Sequence, residues 1–346
     1  MYINSMIGEN KNNYVAKWLL LITFLVALMI IVGGLTRLTD SGLSITKWDL
    51  ITGIFPPLSL SDWEKSFALY KKIPEFQLIN SSMTLEQFKV IYWWEYAHRL
   101  LGRIIGLFYF IPLLYFTFKK IIEKEKLFSL YAIMILICLQ GFVGWYMVKS
   151  GLTERTDVSH YRLALHLFLA FIILILLVWN YLKYKTQQIN SYKKKLPLYL
   201  PILFTSLILL QICIGAFVSG LDAGQIYQTW PLMNQSYFPD DSKFKDLFTI
   251  NVLETPSIVQ FIHRNVAYLI IFLFIFITIS VFKNKDFFYL RKITLLICVF
   301  IFLQTLLGIF TVISGAQILV ASMHQIGSIF LVIASIILVY KNSSIN

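Results

Sequence analysis

The chain has 346 residues, of which 58% are hydrophobic and only 14% are charged. A soluble domain usually carries about 25% charged residues, so this composition excludes an ordinary soluble protein. The apolar residues lie in long blocks, and about 20 such residues are needed to cross a bilayer as a helix. The sequence therefore predicts an all-α integral membrane protein embedded in the lipid bilayer.

Eight blocks are long enough to span a membrane, and in lipid each must be a helix because its backbone amides have no other partners. We number these predicted spans one to eight in chain order: 16–36, 95–117, 128–149, 162–181, 198–219, 258–282, 292–313 and 318–340. Capping-box patterns at Ser61–Glu64 and Thr84–Gln87 also predict helix starts in the first long loop. An even number of spans places both termini on one side of the membrane.

The net charge of +12 follows the predicted topology. Segments predicted to lie inside, with the helix ends beside them, carry 16 Lys and Arg against 4 acids, whereas the rest carries 14 against 14. This asymmetry is the positive-inside rule. It predicts a multi-pass protein of the bacterial cell inner membrane with both termini cytoplasmic, and it removes any reason to expect a nucleic-acid partner.

The three cysteines, Cys138, Cys213 and Cys298, all fall within predicted spans. The outer loops have none, so the sequence predicts no disulfide framework. It also contains no C-x-x-C-H pattern, which argues against covalently attached haem.

The second half of the chain repeats the first. At a constant offset of 182, Gly33, Asp40 and Trp48 fall on Gly215, Asp222 and Trp230. EYAHR at 95–99 matches QFIHR at 260–264, and LQGFVG in span three matches LQTLLG in span seven. We therefore predict two tandem four-helix bundles, residues 1–190 and 191–346, related by a pseudo-two-fold axis along the membrane normal. Their large outer loops would be 37–92 and 220–257.

Four of the five histidines lie near the outer ends of the even-numbered spans: His98, His166, His263 and His324. One membrane histidine could simply bond a neighbouring helix, but four at matched positions indicate a functional site. Zinc normally takes three or four protein ligands, and no cysteine, Asp or second His stands at helical spacing to supply them. Haem needs only two axial imidazoles, so we predict the haem pairs His98/His166 and His263/His324, toward the periplasmic side. His160 has no counterpart, and we interpret it as a solvated interfacial residue.

The two halves differ beside the first histidine of each. Glu95 stands three residues before His98, on the same helix face, whereas Gln260 holds the matching position. A carboxyl group can move protons or stabilise a developing cation, and an amide cannot. We predict that the first half carries out chemistry at Glu95 while the second half holds a permanent haem. A hydrated acid paired with Arg99 is the alternative.

Arginines near the outer ends of the spans are candidates to bind haem propionates through paired hydrogen bonds. The candidates are Arg37, Arg99 and Arg264. Snorkelling to the lipid headgroups is the alternative for all three, and it is the interpretation we favour for Arg103.

The segments GGLTRLTDSGLSITKW, EYAHRLLGR, LQGFVGWYMVKSGL and HRNVAYL, with a histidine in spans four and eight, resemble the haem A synthase family from about Lys17 to Tyr340. The resemblance implies oxidation of the C8 methyl of haem O to a formyl group, giving haem A for cytochrome c oxidase. It implies the four histidines as iron ligands and Glu95 as the essential acid. Haem B would occupy His263/His324, and the substrate haem O would occupy His98/His166.

Some bacterial members of that family carry a cysteine pair in an outer loop, which this chain lacks. It therefore resembles the class shared by alphaproteobacteria and mitochondria. Two other functions stay open from the sequence: a quinol-linked dihaem electron-transfer protein and a non-catalytic haem carrier. The electron donor, the source of the formyl oxygen, binding to a haem O synthase and homo-oligomer formation are also open.

Overall fold

The computed structural model describes residues 2–49, 52–154, 156–185 and 194–343. The α-helices within these residues are α1 (Tyr2–Leu38), α2 (Leu60–Tyr70), α3 (Pro74–Leu78), α4 (Leu85–Phe118), α5 (Lys124–Glu154), α6 (His160–Lys185), α7 (Tyr199–Gly220), α8 (Pro256–Lys283), α9 (Arg291–Ile313) and α10 (Ile318–Ser343).

Among the described residues eight helices are long and apolar enough to cross a membrane, which confirms the eight predicted spans. Two helices begin well before their predicted spans: α1 at Tyr2 rather than at 16, and α4 at Leu85 rather than at 95. For α4 the predicted capping box is the reason, because the Thr84 hydroxyl accepts from the Gln87 amide and the Gln87 side chain accepts from the Thr84 amide. Helix α4 therefore begins outside the apolar block and continues into it.

The other predicted capping box was placed two residues too late. Ser59, not Ser61, caps α2, with its hydroxyl accepting from the Asp62 amide at 3.2 Å while the Asp62 carboxylate accepts from the Ser59 amide. Helix α2 then packs Trp63, Phe67 and Tyr70 into an aromatic cluster with the start of α4. This cluster fixes the first long loop over the end of the membrane-spanning helices.

Helices α1, α6, α7 and α10 occupy the centre of the molecule and pack against one another. They share one large apolar core, which includes Leu19, Phe171, Phe204 and Leu338. Helix α9 has only three buried residues, Ile293, Thr294 and Ile297, and one side of it exposes apolar residues such as Leu295, Val299 and Phe302. That surface is the kind that lipid covers in a membrane protein.

The ends of α1 and α7 lie side by side. Arg37, near the end of α1, donates to the Ser219 carbonyl at 2.7 Å and to the Asp222 carboxylate at 2.9 Å, both at the end of α7. The two long loops, 39–84 and 221–255, therefore leave the helices on the same side, which we call the loop face. Asp40 and Asp222 both adopt left-handed backbone angles, with φ of 48° and 49°, as their matched positions predict. The pseudo-two-fold axis itself stays a prediction.

All three cysteines lie within helices α5, α7 and α9 and are free thiols, in agreement with the sequence analysis.

Candidate haem-binding site

The four predicted histidines come together as two pairs. His98 of α4 faces His166 of α6, and His263 of α8 faces His324 of α10, with ring centres 6.4 Å apart in each pair. The ring planes are inclined by 61° in the first pair and 76° in the second. Each histidine lies in the part of its helix that is nearer the loop face.

The separation of the rings suits a metal between them. Two metal–nitrogen bonds of about 2.1 Å each, typical of histidine on a first-row metal, account for about 4.2 Å of the 6.4 Å between the ring centres. About 1.1 Å is left on each side, between the ligating nitrogen and the centre of its own ring. That remainder is close to the radius of an imidazole ring. Within the described residues no group of three or more His, Cys, Asp or Glu could hold a metal ion. The donor set is therefore two imidazoles per site, which fits a haem, because its porphyrin supplies the other four nitrogens.

The Nδ1 atoms of all four histidines are buried and have no hydrogen-bond partner within the described residues. Buried polar atoms are normally satisfied. Four at matched positions therefore argue against the alternative that these histidines bond neighbouring helices through Nδ1.

A glycine on a neighbouring helix lies against each of the four rings. The pairs, with the distance from a methyl group built on the glycine to the histidine Cε1, are Gly33–His98 (2.9 Å), Gly144–His166 (2.9 Å), Gly215–His263 (3.2 Å) and Gly308–His324 (3.0 Å). Only glycine permits such an approach between helices without moving the ring. The glycine motifs of the odd-numbered spans therefore set the positions of the imidazoles.

Glu95 is buried beside His98, with only 2% of its surface exposed. One carboxylate oxygen accepts from the Ser44 hydroxyl and from the Ile45 amide, both at 2.7 Å. The other oxygen forms an ion pair with Arg99. Pairing with Arg99 agrees with the alternative prediction, but the first long loop encloses the acid and buries it.

Gln260 has the matching environment in the second half without a charge. It is also 2% exposed, and its amide donates to the carbonyls of Ala223 at 3.0 Å and Tyr227 at 3.2 Å. Its oxygen accepts from Arg264 at 3.2 Å. Thus the loop folds over this position in both halves, and at this position the two sites differ by one ionisable group.

A cleft of about 250 Å³ is lined in part by Arg99 and Lys149, and by Ile45. Two of these residues, Arg99 and Ile45, also bond to Glu95. The Arg99 guanidinium lies 4.7 Å from the ring centre of Trp48, and the Lys149 ammonium lies 5.0 Å from that of Trp145. The cleft thus combines cations with aromatic surface, a suitable environment for a flat ligand that carries carboxylates.

The sequence analysis did not identify Trp145 or Lys149 as site residues. The repeat carries the signal that was missed: when LQGFVG is aligned with LQTLLG, Trp145 falls on Ile309 and Lys149 on Ile313. At these two positions the first half therefore has an indole and a cation, and the second half has isoleucines. Departures from the repeat, as well as matches to it, mark candidate site residues.

All three candidate arginines bind protein groups, and Arg99 donates to the carbonyls of Ile45 and Lys47 as well as to Glu95. Arg37 is bonded to Asp40, Asp222 and Ser219, and Arg264 donates to the carbonyls of Leu232 and Tyr227 as well as to Gln260. Binding of a propionate stays a prediction for Arg37, Arg99 and Arg264. Of these three residues, Arg99 lines the cleft.

The prediction that His160 is a solvated residue was wrong. Only 4% of its surface is exposed, because it starts α6 directly against α7, where a methyl group on Gly220 would be 2.7 Å from its Cβ. Phe217 packs on its ring, and Glu254 approaches its Nε2 at 3.4 Å. His160 is therefore a packing residue between α6 and α7.

The fold and the site define a polytopic helical membrane protein with two pairs of facing histidines and a buried acid beside one pair. Residues 16–336 match the family described as cytochrome oxidase assembly protein (COX15-CtaA). A heme A synthase of Pelagibacter ubique is 49% identical over 99% of this chain and all of its own length. Heme A synthases of Rickettsia bellii and Rickettsia felis are 44% and 41% identical over 91% and 93% of this chain, and over 94% and 96% of their own. The chain belongs to the haem A synthase family.

Proposed function

We propose that this protein is a haem A synthase, which oxidises the C8 methyl of haem O to a formyl group and so supplies haem A to cytochrome c oxidase. Full-length similarity to haem A synthases supports the activity. One observation carries the assignment of the two sites. Two histidine pairs of equal separation differ in the buried group beside them, which is Glu95 in one and Gln260 in the other.

In this proposal His263 and His324 hold a resident haem B, and His98 and His166 hold the substrate haem O. The neutral, fully bonded Gln260 gives the second site no group that could take up or release a proton. When bound, the resident haem supplies one-electron redox chemistry. Retention of one haem and exchange of the other then follow from the different roles of the two halves.

Oxidation of a methyl group to a formyl group by two successive hydroxylations and loss of water removes a hydrogen from the methyl carbon at each hydroxylation. Loss of water from the resulting diol then moves a proton from one hydroxyl group to the other. Glu95 places a carboxylate next to His98, where it can accept a proton or stabilise positive charge that develops on the substrate. Ser44 and the Ile45 amide orient that carboxylate, and Arg99 balances its charge. The first long loop encloses the acid, and exclusion of water strengthens each of these interactions.

The cleft supports binding of the charged edge of the substrate. Lys149 provides a cation for a propionate, and Trp48 and Trp145 provide flat apolar surface. Arg99 lies in the same cleft as the ion-pair partner of Glu95. In the second half isoleucines replace Trp145 and Lys149. These residues would therefore distinguish the site that binds a new substrate in each cycle from the site that retains its cofactor.

We further propose that the loop face is periplasmic. Lys119, Lys120 and Arg291 lie at the opposite ends of their helices from the loop face, and basic residues mark the cytoplasmic side. Both haem sites would then lie in the periplasmic half of a bacterial inner membrane. We propose a haem O synthase, which would deliver the substrate, and an electron donor as partners of the protein.

The test is extraction of haems after expression of the full chain with a source of haem O, followed by chromatographic identification. The parent protein should yield haem B and haem A. Glu95→Gln should yield haem B and unconverted haem O, whereas the matched change Gln260→Glu should still yield haem A. Haem B with unconverted haem O from the parent would contradict the synthase proposal and favour a carrier or an electron-transfer protein. Normal haem A from Glu95→Gln would contradict the role of Glu95.

A further inference from the structure

Three of the four histidines have a second contact, made by a glutamine one helical turn before the packing glycine. The side-chain amides of Gln140, Gln211 and Gln304 stand four residues before Gly144, Gly215 and Gly308. They donate to the backbone carbonyls of His166, His263 and His324 at 3.0, 2.9 and 2.8 Å. Each of these histidines is thus held at two points, because the glycine contacts the ring and the glutamine bonds the main chain.

The fourth histidine lacks this hydrogen bond. Met29 stands four residues before Gly33, where the glutamine would be. A thioether has no hydrogen to donate, and the Met29 methyl instead packs near Gly102, one turn beyond His98, at 3.2 Å from a methyl group built there. His98 therefore has the ring contact with Gly33 but not the polar bond between helices.

A polar bond between helices restrains both of them in lipid, where the alternative partners are few. Side-chain hydrogen bonds between membrane helices shift equilibria by about threefold to tenfold each. The three glutamine bonds also come at a cost, since the Oε1 atom of each glutamine is buried and has no partner within the described residues. An expensive arrangement that is present at three histidines and absent at one indicates a difference in what the four must do.

We propose that Gln211 and Gln304 are positioning residues that keep both axial ligands of the resident haem in place. We propose equally that Met29 makes His98 the axial ligand that is released when substrate enters and product leaves. This inference rests on the proposed function, in which the first site exchanges its haem and the second does not. His166, held by Gln140 and Gly144, is the ligand that stays fixed during exchange.

The substitutions that test this proposal exchange the two residue types. Met29→Gln adds the missing donor, and Met29→Leu is its control because it alters the side chain without adding a donor. Gln211→Met and Gln304→Met remove the donor at the resident site. All are made in the full-length protein, purified with its haems, and accepted after gel filtration shows a single species. The two glutamine variants test the proposal even if Met29→Gln does not fold.

The measurement is loss of haem to excess apomyoglobin, with chromatographic identification of the haem retained. Met29→Gln should slow the loss of haem O by about threefold to tenfold relative to the parent, and Met29→Leu should not slow it. Gln211→Met and Gln304→Met should speed the loss of haem B by a similar factor. They should also raise the high-spin fraction of the ferric haem in the visible spectrum, because a displaced axial ligand leaves five-coordinate iron.

Equal rates for Met29→Gln and Met29→Leu would overturn the role given to Met29. Unchanged haem B retention and spin state in both glutamine variants would overturn the role given to the glutamines. The rates are measured without turnover, so they stand apart from the synthase activity. If the parent protein binds both haems but forms no haem A, the proposed function fails while the comparison of release rates remains valid.

Discussion

Gly144 lies so close to His166 that a methyl group in its place would be 2.9 Å from Cε1 of the imidazole. Gly141, one turn earlier on the same helix, has open space where its methyl group would be. The two glycines of α5 therefore have different functions: one sets the position of a ligand ring, and the other does not. Their contrast provides a matched experiment within a single helix.

We predict that Gly144→Ala lowers the haem O content of the purified protein, whereas Gly141→Ala leaves it unchanged. Overpacking of this kind costs about 1–3 kcal/mol, so the affinity for haem O should fall by about fivefold or more. Haem O and haem B are measured per protein after extraction. Equal haem O contents in the two variants would show that the glycine contact does not position His166, and loss of haem B would show a general packing defect.

Arg37 should contribute to stability rather than to haem binding, because its guanidinium is bonded to the end of α7. Its side chain is only 15% exposed, and Arg37→Ala leaves the Ser219 carbonyl without this donor. We expect Arg37→Ala to cost about 1–2 kcal/mol and to lower Tm by a few degrees. Asp222→Asn should cost less, since that carboxylate is 64% exposed.

Thermal denaturation and haem content are measured on the same samples. A lower haem content at unchanged Tm would instead favour the propionate role.

The stability of the loop face should depend on pH through Glu75. Burial raises the pKa of this carboxyl in α3 to about 8, from an ordinary value of 4.5. Between pH 4.5 and about 8 the folded loop keeps this proton, whereas the unfolded loop releases it. The free energy of unfolding of the loop is therefore highest below pH 4.5 and falls as the pH rises through 8. After correction for the intrinsic pH dependence of exchange, we expect the amide hydrogens of α2 and α3 to exchange faster at pH 9 than at pH 5.

Glu75→Gln should remove most of this dependence, because the amide stays neutral at every pH. Asp62→Asn serves as the control, since the hydrogen bonds from Ser59 hold the pKa of Asp62 below its ordinary value and an ionised group does not titrate in this window. The assignment to Glu75 would be refuted by equal pH dependence in the parent protein and Glu75→Gln.

The features that the sequence predicted and those it missed differ in physical origin. The membrane spans depend on the length of each apolar segment, and the matched histidines depend on the internal repeat, so both could be predicted directly from the sequence. The enclosure of Glu95 by Ser44 and Ile45 depends on how a long loop folds back over α4. The burial of His160 depends on Gly220, sixty residues later, which lets two helices approach closely. Neither contact leaves a periodic pattern in the chain.

Lys149 provides the sharpest test of the difference between the two halves. It lines the same cleft as Arg99, the ion-pair partner of Glu95, and the matching residue in the second half is Ile313. We predict that Lys149→Ile weakens haem O binding by about threefold to tenfold, the effect of losing one charge-assisted hydrogen bond at a partly exposed site. Haem B content should not change, because the second site is built without this cation.

The measurement is an absorbance titration in which haem O is added to protein that contains only haem B. Lys149→Arg is the control, since it keeps a donor with positive charge over Trp145, and it should bind haem O within about twofold of the parent because a charge-assisted bond remains possible. The parent and both variants are compared at one pH and one ionic strength, with the ammonium of Lys149 lying against the Trp145 indole. If Lys149→Ile binds haem O as the parent does, the propionates lie elsewhere. If both variants lose haem B as well, the cleft is structural and does not distinguish substrate from cofactor.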